Sequence, residues 1–241
     1  MSFLNPRTTS QPPILAIETA TEYCSMALCN KDGIWFSKEE LKADPVRVLS
    51  GWLDRLAAEA DLGIADLKAI AVSIGPGSFT GLRAGISFAK GLSYGLDIPI
   101  LGISSLEGIA VGMRMNNADF DYYLPMIDAR REEVYMAVYD REGKIFKRAF
   151  SHDFSLTGEI ADLESGAKLA LGGSGAAKTL AFLKNYKSTL SEIVSHASYI
   201  GIIGKKRYET KIWDDRSTLA PDYIKEPNIT TAKVKIYKTL N

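Results

Sequence analysis

Ser73-Ile-Gly-Pro-Gly-Ser-Phe-Thr-Gly-Leu-Arg-Ala-Gly-Ile-Ser-Phe-Ala-Lys-Gly-Leu92 changes its hydrophobic pattern partway along. The apolar run Ala69 to Ile74 reads as a buried strand, Gly75-Pro76-Gly77 as a turn, and Gly81 to Leu96 as a helix crowded with small residues. Gly85, Gly91 and Gly95 inside that helix would together cost roughly 2–3 kcal/mol relative to alanine. Close approach of another backbone offsets such a cost. A glycine-rich strand-to-helix junction is also where phosphates bind, and Arg83 and Ser78 are available to an anion. A phosphate loop of the Gly-x4-Gly-Lys-Ser/Thr kind needs a lysine at the helix start, and none is present. Capping of the helix by Ser78 or Thr80 is the simpler reading.

Working outward, Ile14 to Glu18 reads as a central strand and Cys24 to Cys29 as a second. The Asp32-Gly33 hairpin signal leads into a third strand at Ile34 to Ser37. Pro45 opens a helix to Ala60 whose core stripe is Val46, Leu49, Leu53, Leu56 and Ala60, with Val48 and Trp52 beside it. With the strand at Ala69 and the helix after it, residues 14–98 form a βββαβα unit. Residues 99–241 read as a second, smaller unit. Its elements are a strand at Pro99 to Gly102, a helix from Ser104 to Met115 with Ser104 and Glu107 as a capping box, and strands at Tyr122 to Asp128 and Glu133 to Tyr139. Lys144 to Phe150 pairs with the latter across Arg141-Glu142-Gly143. A strand at Leu169 to Gly172 and helices at Ser174 to Tyr186 and His196 to Tyr208 complete it. Both halves carry hairpins followed by helices, but simple periodicity shows no internal repeat. Residues 1–13 are polar and contain proline, and read as a disordered tail without the apolar core of a signal peptide.

The composition is that of an ordinary globular chain: 241 residues, 46% hydrophobic, 24% charged, formal net charge zero. Zero net charge gives the chain no overall pull toward nucleic acid or acidic lipid. From Lys205 onward nine Lys or Arg face five Asp or Glu, which reads as a solvated basic face. No apolar run approaches the roughly 18 residues of a membrane-spanning helix. Cys24 and Cys29, five apart on one strand, point to opposite faces and cannot bridge. Two unpaired thiols suit a reducing, cytoplasmic setting.

The local chemistry predicts no catalytic, cofactor-binding or metal-binding residue in the isolated chain. His152 and His196 have no histidine three or four residues away. No Gly-x-Ser-x-Gly elbow offers a nucleophile. Asp128-Ala129-Arg130 reads as a turn with an internal ion pair, and Gly172-Gly173-Ser174-Gly175 as a tight turn.

From Ile14 to Tyr237 the chain resembles the TsaB (YeaZ) family of accessory proteins in bacterial threonylcarbamoyladenosine tRNA modification. The resemblance lies in Ile14-Leu-Ala-Ile-Glu-Thr-Ala-Thr-Glu-Tyr-Cys-Ser-Met-Ala-Leu28, Gly75-Pro-Gly-Ser-Phe-Thr-Gly-Leu-Arg-Ala-Gly-Ile86 and Ile127-Asp-Ala-Arg-Arg-Glu-Glu-Val-Tyr135, followed by Pro221-Asp-Tyr-Ile-Lys225. It implies an α/β fold of the actin-like, sugar-kinase-like (ASKHA) class with two lobes. It also implies a non-catalytic scaffold that pairs with the catalytic TsaD and the ATPase TsaE, pairs with itself when alone, and meets tRNA only within the complex, away from membranes. ATP or ADP would bind at the junction with TsaD. The catalytic relative carries His-x-x-x-His after the small-residue helix; Ser105 and Ile109 stand in those two places here. Where relatives have a histidine before the first long helix, this chain has Asp44-Pro45. The resemblance and the two helices of the first lobe, one with Val48 and Trp52 off its core stripe and the other with Gly81, Gly85 and Ala89 four apart, together predict a partner interface at those five residues. The contrasting reading is a nucleotide-binding phosphotransferase or hydrolase using Glu18, Thr19 and the Gly172–Gly175 turn.

Overall fold

The computed structural model describes residues 13–30, 33–116 and 119–225. All of the tail except Pro13 lies outside the described residues. Strands β1 (Ile14–Glu18), β2 (Tyr23–Asn30) and β3 (Gly33–Leu41) form an antiparallel meander. Helix α1 (Pro45–Glu59) follows, started by Asp44, whose Oδ1 accepts the Val46 amide at 3.1 Å, and by Pro45, which lacks an amide that would need a partner. Then come β4 (Ala69–Gly75), α2 (Phe79–Leu96) and β5 (Ile100–Ser104). The first sheet runs β3-β2-β1-β4-β5, with β1, β4 and β5 parallel.

After α3 (Ser105–Asn116) the pattern recurs. Strands β6 (Tyr122–Asp128), β7 (Glu133–Asp140), β8 (Ile145–Asp153), β9 (Lys168–Gly172) and β10 (Lys187–Leu190) form a second sheet in the order β10-β9-β6-β7-β8. Renumbered within its own half, this is the order of the first sheet. A single helical turn, α4 (Ala176–Thr179), lies between β9 and β10, and α5 (Ala197–Glu209) comes last among the elements of the described residues.

The strand sequences are apolar on both faces because both faces are covered. Leu15, Ile17, Met26, Ile70 and Val72 pack under α1 and α2. Their neighbours Ile14, Ala16, Ala27, Ala69 and Ala71 pack against Ala197, Ile200 and Ile203 of α5. Helix α3 packs on α5 and sets Leu106, Ile109 and Met113 against Tyr123, Ile127 and Tyr139 of the second sheet. Phe154, Ile160 and Leu183 cover that sheet's far face. The two helices are thus the filling between two sheets.

Several expectations are corrected by this arrangement. The lobes do not divide at residue 98: β5 pairs with β4 in the first sheet, and α5, from the chain's end, packs on the first sheet. Parallel pairing along β4 completes the sheet, which a contiguous division cannot show. The expected helix from Ser174 to Tyr186 is a single turn followed by the unforeseen strand β10. Val46 is 73% exposed, whereas Trp52, read as lying beside the stripe, is core. Glu107 does not complete a capping box with Ser104, the last residue of β5. Its Oε2 instead accepts Arg207 Nη2 of α5 at 3.1 Å. Cys24 and Cys29 do occupy opposite faces, both buried, each thiol pushed up to about 12 by burial.

Candidate functional site

The β1–β2 turn, the N-terminus of α2 and the β6–β7 turn converge on a cleft of about 960 Å³ between the lobes. Thr19, Ala20, Thr21 and Glu22 line it from the first turn, and Gly77 to Gly81 from the start of α2. Asp128, Ala129, Arg130 and Ser174 face them from the second lobe. The turn and helix are locked together. Ser78 donates its amide to the Ala20 carbonyl at 2.6 Å, and its Oγ caps the helix by accepting the Gly81 amide at 3.2 Å. Gly77, at φ 158°, lies so close to Ala20 that a Cβ would overlap the Ala20 carbonyl.

Behind the first wall lies a fully buried carboxylate. Glu18 Oε1 accepts the Ala20 amide at 2.6 Å and Ser73 Oγ at 2.8 Å, while Oε2 accepts Ser195 Oγ at 2.5 Å. Burial pushes its titration above the ordinary carboxylate range, and these donors pull the other way. The network joins β1, β4 and the segment leading into α5. Glu18 therefore ties the entry of α5 to the first sheet, and both of its oxygens already accept bonds. Thr19, beside it, turns its buried Oγ1 toward Gly85 of α2.

On the second wall Asp128 holds the β6–β7 turn in shape. Its Oδ1 accepts the Arg130 amide at 2.7 Å and Lys178 Nζ at 2.5 Å. Lys178, from α4, also donates to the carbonyls of Arg131 and Glu133, each at 2.7 Å. Ser174 Oγ accepts the Asp128 amide at 3.1 Å. The sequence reading of Asp128-Ala129-Arg130 as a turn holds, but the ion pair is made to Lys178. No sequence signal linked positions fifty residues apart.

The residues expected at a partner interface lie against the chain's own interior. Gly81, Gly85 and Ala89 face inward: a Cβ on Gly81 would overlap the Thr19 carbonyl, one on Gly85 would overlap Thr19 Oγ1, and Ala89 lies in the core. Trp52 is only 7% exposed, packed in the same cluster, and Val48 is half-buried against it. The stripe serves close packing of α2 on the chain's own first turn. The outward glycines are Gly51, Gly91 and Gly95, none of which has an atom within 4 Å of its Cβ position. Among the described residues no three His, Cys, Asp or Glu side chains gather as a metal site. His152 lies 3.2 Å from the Thr157 carbonyl, and His196 caps α5.

A β-meander continued by parallel strands, repeated in two lobes that face each other across a cleft, defines a protein of the actin-like, sugar-kinase-like class. Two solved structures from Pseudomonas aeruginosa share this fold. One, described as an uncharacterized protein with similarity to peptidase YEAZ, has a TM-score of 0.76 at 23% identity and is matched over 89% of this chain and 100% of its own. The other, described as YeaZ, has a TM-score of 0.74 at 23% identity over 88% and 99%. The family model for TsaD, tRNA N6-adenosine threonylcarbamoyltransferase, matches residues 42–231. The protein TsaB of Escherichia coli is 39% identical over 130 residues, 54% of this chain and 55% of that protein. TsaB of Bacillus subtilis is 36% identical over 138 residues, 56% and 58%. The match spans about half the length of these curated relatives. The chain belongs to the family of that model, and the curated relatives it matches here are named TsaB.

Proposed function

We propose that this chain is a non-catalytic subunit in the biosynthesis of threonylcarbamoyladenosine on tRNA, working beside a catalytic TsaD-type partner and the ATPase TsaE. The curated relatives are named for that biosynthesis. The observation that carries the non-catalytic part is the start of α3. Ser105 and Ile109, in the places of the catalytic relative's paired histidines, are both fully buried, Ile109 within the core. A hydroxyl and an alkyl group cannot replace two imidazole ligands. ATP or ADP would then bind where the partner completes the site, and tRNA would be held by the assembly, since this chain has no net charge.

The outer faces of α1 and α2 are the pairing surface in this reading, toward the partner or a second copy. Gly51, Gly91 and Gly95 leave room there for another helix, and Tyr94, next to Gly95 in sequence, is 58% exposed. The test is co-purification with TsaD, followed by a tRNA modification assay with and without this chain. Full modification by TsaD and TsaE without it would overturn the reading.

The interlobe cleft supports a second reading, nucleotide binding with phosphotransfer or hydrolysis. Its volume suits a nucleotide. Against it, the first turn reads Glu18-Thr-Ala-Thr21, with no glycine for close phosphate approach, and Glu18 is already bonded. Micromolar, Mg²⁺-dependent ATP binding to the isolated chain in calorimetry would favour this second reading.

A further inference from the structure

After α5 the chain runs back along the first lobe as a strap. Asp214 pairs with Ile100 of β5, Arg216 bonds the Ser93 carbonyl and Asp97 at 2.8 Å each, and Lys90 Nζ reaches the Leu219 carbonyl at 3.1 Å. These holds all lie on one lobe. The last described residues are different. Asp222 donates its amide to the Ile74 carbonyl at 2.7 Å, one residue before the end of β4. The Tyr223 ring stacks on Phe79 with centroids 5.1 Å apart, and Arg83 sets its guanidinium 3.7 Å from the Phe79 centroid while Nε bonds the Tyr223 hydroxyl at 3.2 Å. Two residues later Lys225 makes an ion pair with Glu133, at the start of β7 in the other lobe.

Phe79 lines the cleft on one side. Glu133 sits between Arg130 and Tyr135, which line it on the other. The strap therefore joins the two cleft walls. We propose that Asp222 to Lys225 is a clasp that fixes the spacing of the cleft walls, so that the width of the cleft is governed by the C-terminal strap. The clasp is built to release. Its second-lobe end is one ion pair with half-exposed Lys225, and such a pair shifts an equilibrium by no more than about fivefold. Its first-lobe end is a surface aromatic stack, which uncovers Phe79 and Arg83 when it parts. A ligand or partner segment that enters the cleft from this side does so at the clasp's expense.

Amide exchange at Asp222 and the interlobe distance between spin labels test this together. Labels go on Asp54→Cys of α1 and Arg148→Cys of β8, both exposed; the two native thiols are buried and stay unlabelled. Lys225→Glu and Glu133→Lys are each expected to speed Asp222 exchange by up to about fivefold and to extend the distance distribution. The double reversal is expected to restore both, and Tyr223→Ala to loosen both from the other end. Faster exchange with unchanged distances would make the strap a packed tail and overturn the proposal. So would a double reversal that fails to restore, or single reversals that change nothing.

Discussion

Ser195 Oγ donates to Glu18 Oε2 at 2.5 Å across 177 residues of sequence. Strand β1 and the entry to α5 are thus bonded at one buried carboxylate, which also accepts Ser73 and the Ala20 amide.

Removing one of those donors leaves a buried acceptor unsatisfied. Ser195→Ala is expected to destabilise by about 1–3 kcal/mol, read as a lower urea midpoint with an unchanged slope. A midpoint equal to the parent's would show that the bond contributes nothing.

Glu18 also carries a pH signature. Burial raises its folded-state titration above the unfolded value of 4.5. A raised carboxyl contributes stability below the unfolded value, and that contribution is lost as pH rises through the folded one. Glu18→Gln keeps the shape without the charge. The stability of this variant relative to the parent is expected to increase as pH rises above 4.5. Parallel stability profiles for the two proteins would refute the assignment.

The two kinds of glycine in α2 predict opposite outcomes. Gly85→Ala drives a methyl into Thr19 Oγ1 and is expected to cost about 1–3 kcal/mol. Gly91→Ala meets open space and is expected to gain up to about 1 kcal/mol. Thermal unfolding of the pair checks both signs at once.

Trp52→Ala removes a core side chain and is expected to cost about 3–5 kcal/mol, so lost association in that variant would report unfolding. Gly91→Leu and Gly51→Leu are the cleaner interface variants. Sedimentation should show weakened pairing with unfolding midpoints preserved; pairing at parental strength would move the interface off these helices.

His196 accepts the Ser198 amide on Nδ1 at 3.1 Å and sets Nε2 3.0 Å from Glu39. Burial lowers its titration below 6.5, and Glu39 opposes that in part. The unfolded chain therefore takes up the proton first, and native stability falls as pH drops below 6.5. His196→Asn keeps a capping side chain and is expected to flatten that part of the profile. An unchanged slope in the variant would place the titration elsewhere.

The local elements were legible. The strand-turn-helix of Ala69 to Leu96, the Asp44-Pro45 helix start, the hairpins and the opposed cysteines all follow from propensity and side-chain period. Those forces act within a few residues. The faces of α2 were not legible, because its glycines look alike in sequence and differ only in whether Thr19 or open space stands opposite. The cleft's supports were hidden for the same reason: Lys178 reaches Asp128, and Ser195 reaches Glu18, across gaps that no periodicity spans.

By itself, then, the sequence determined that a glycine-rich junction would turn a buried strand into a tightly packed helix. Tertiary structure decided what that helix packs on, which strand completes the first sheet, and that both lobes repeat one strand order. Hydrogen-bonded pairing between distant strands and exclusion of water from between the sheets and the helices that cover them set those choices, and neither acts until the chain has folded back on itself.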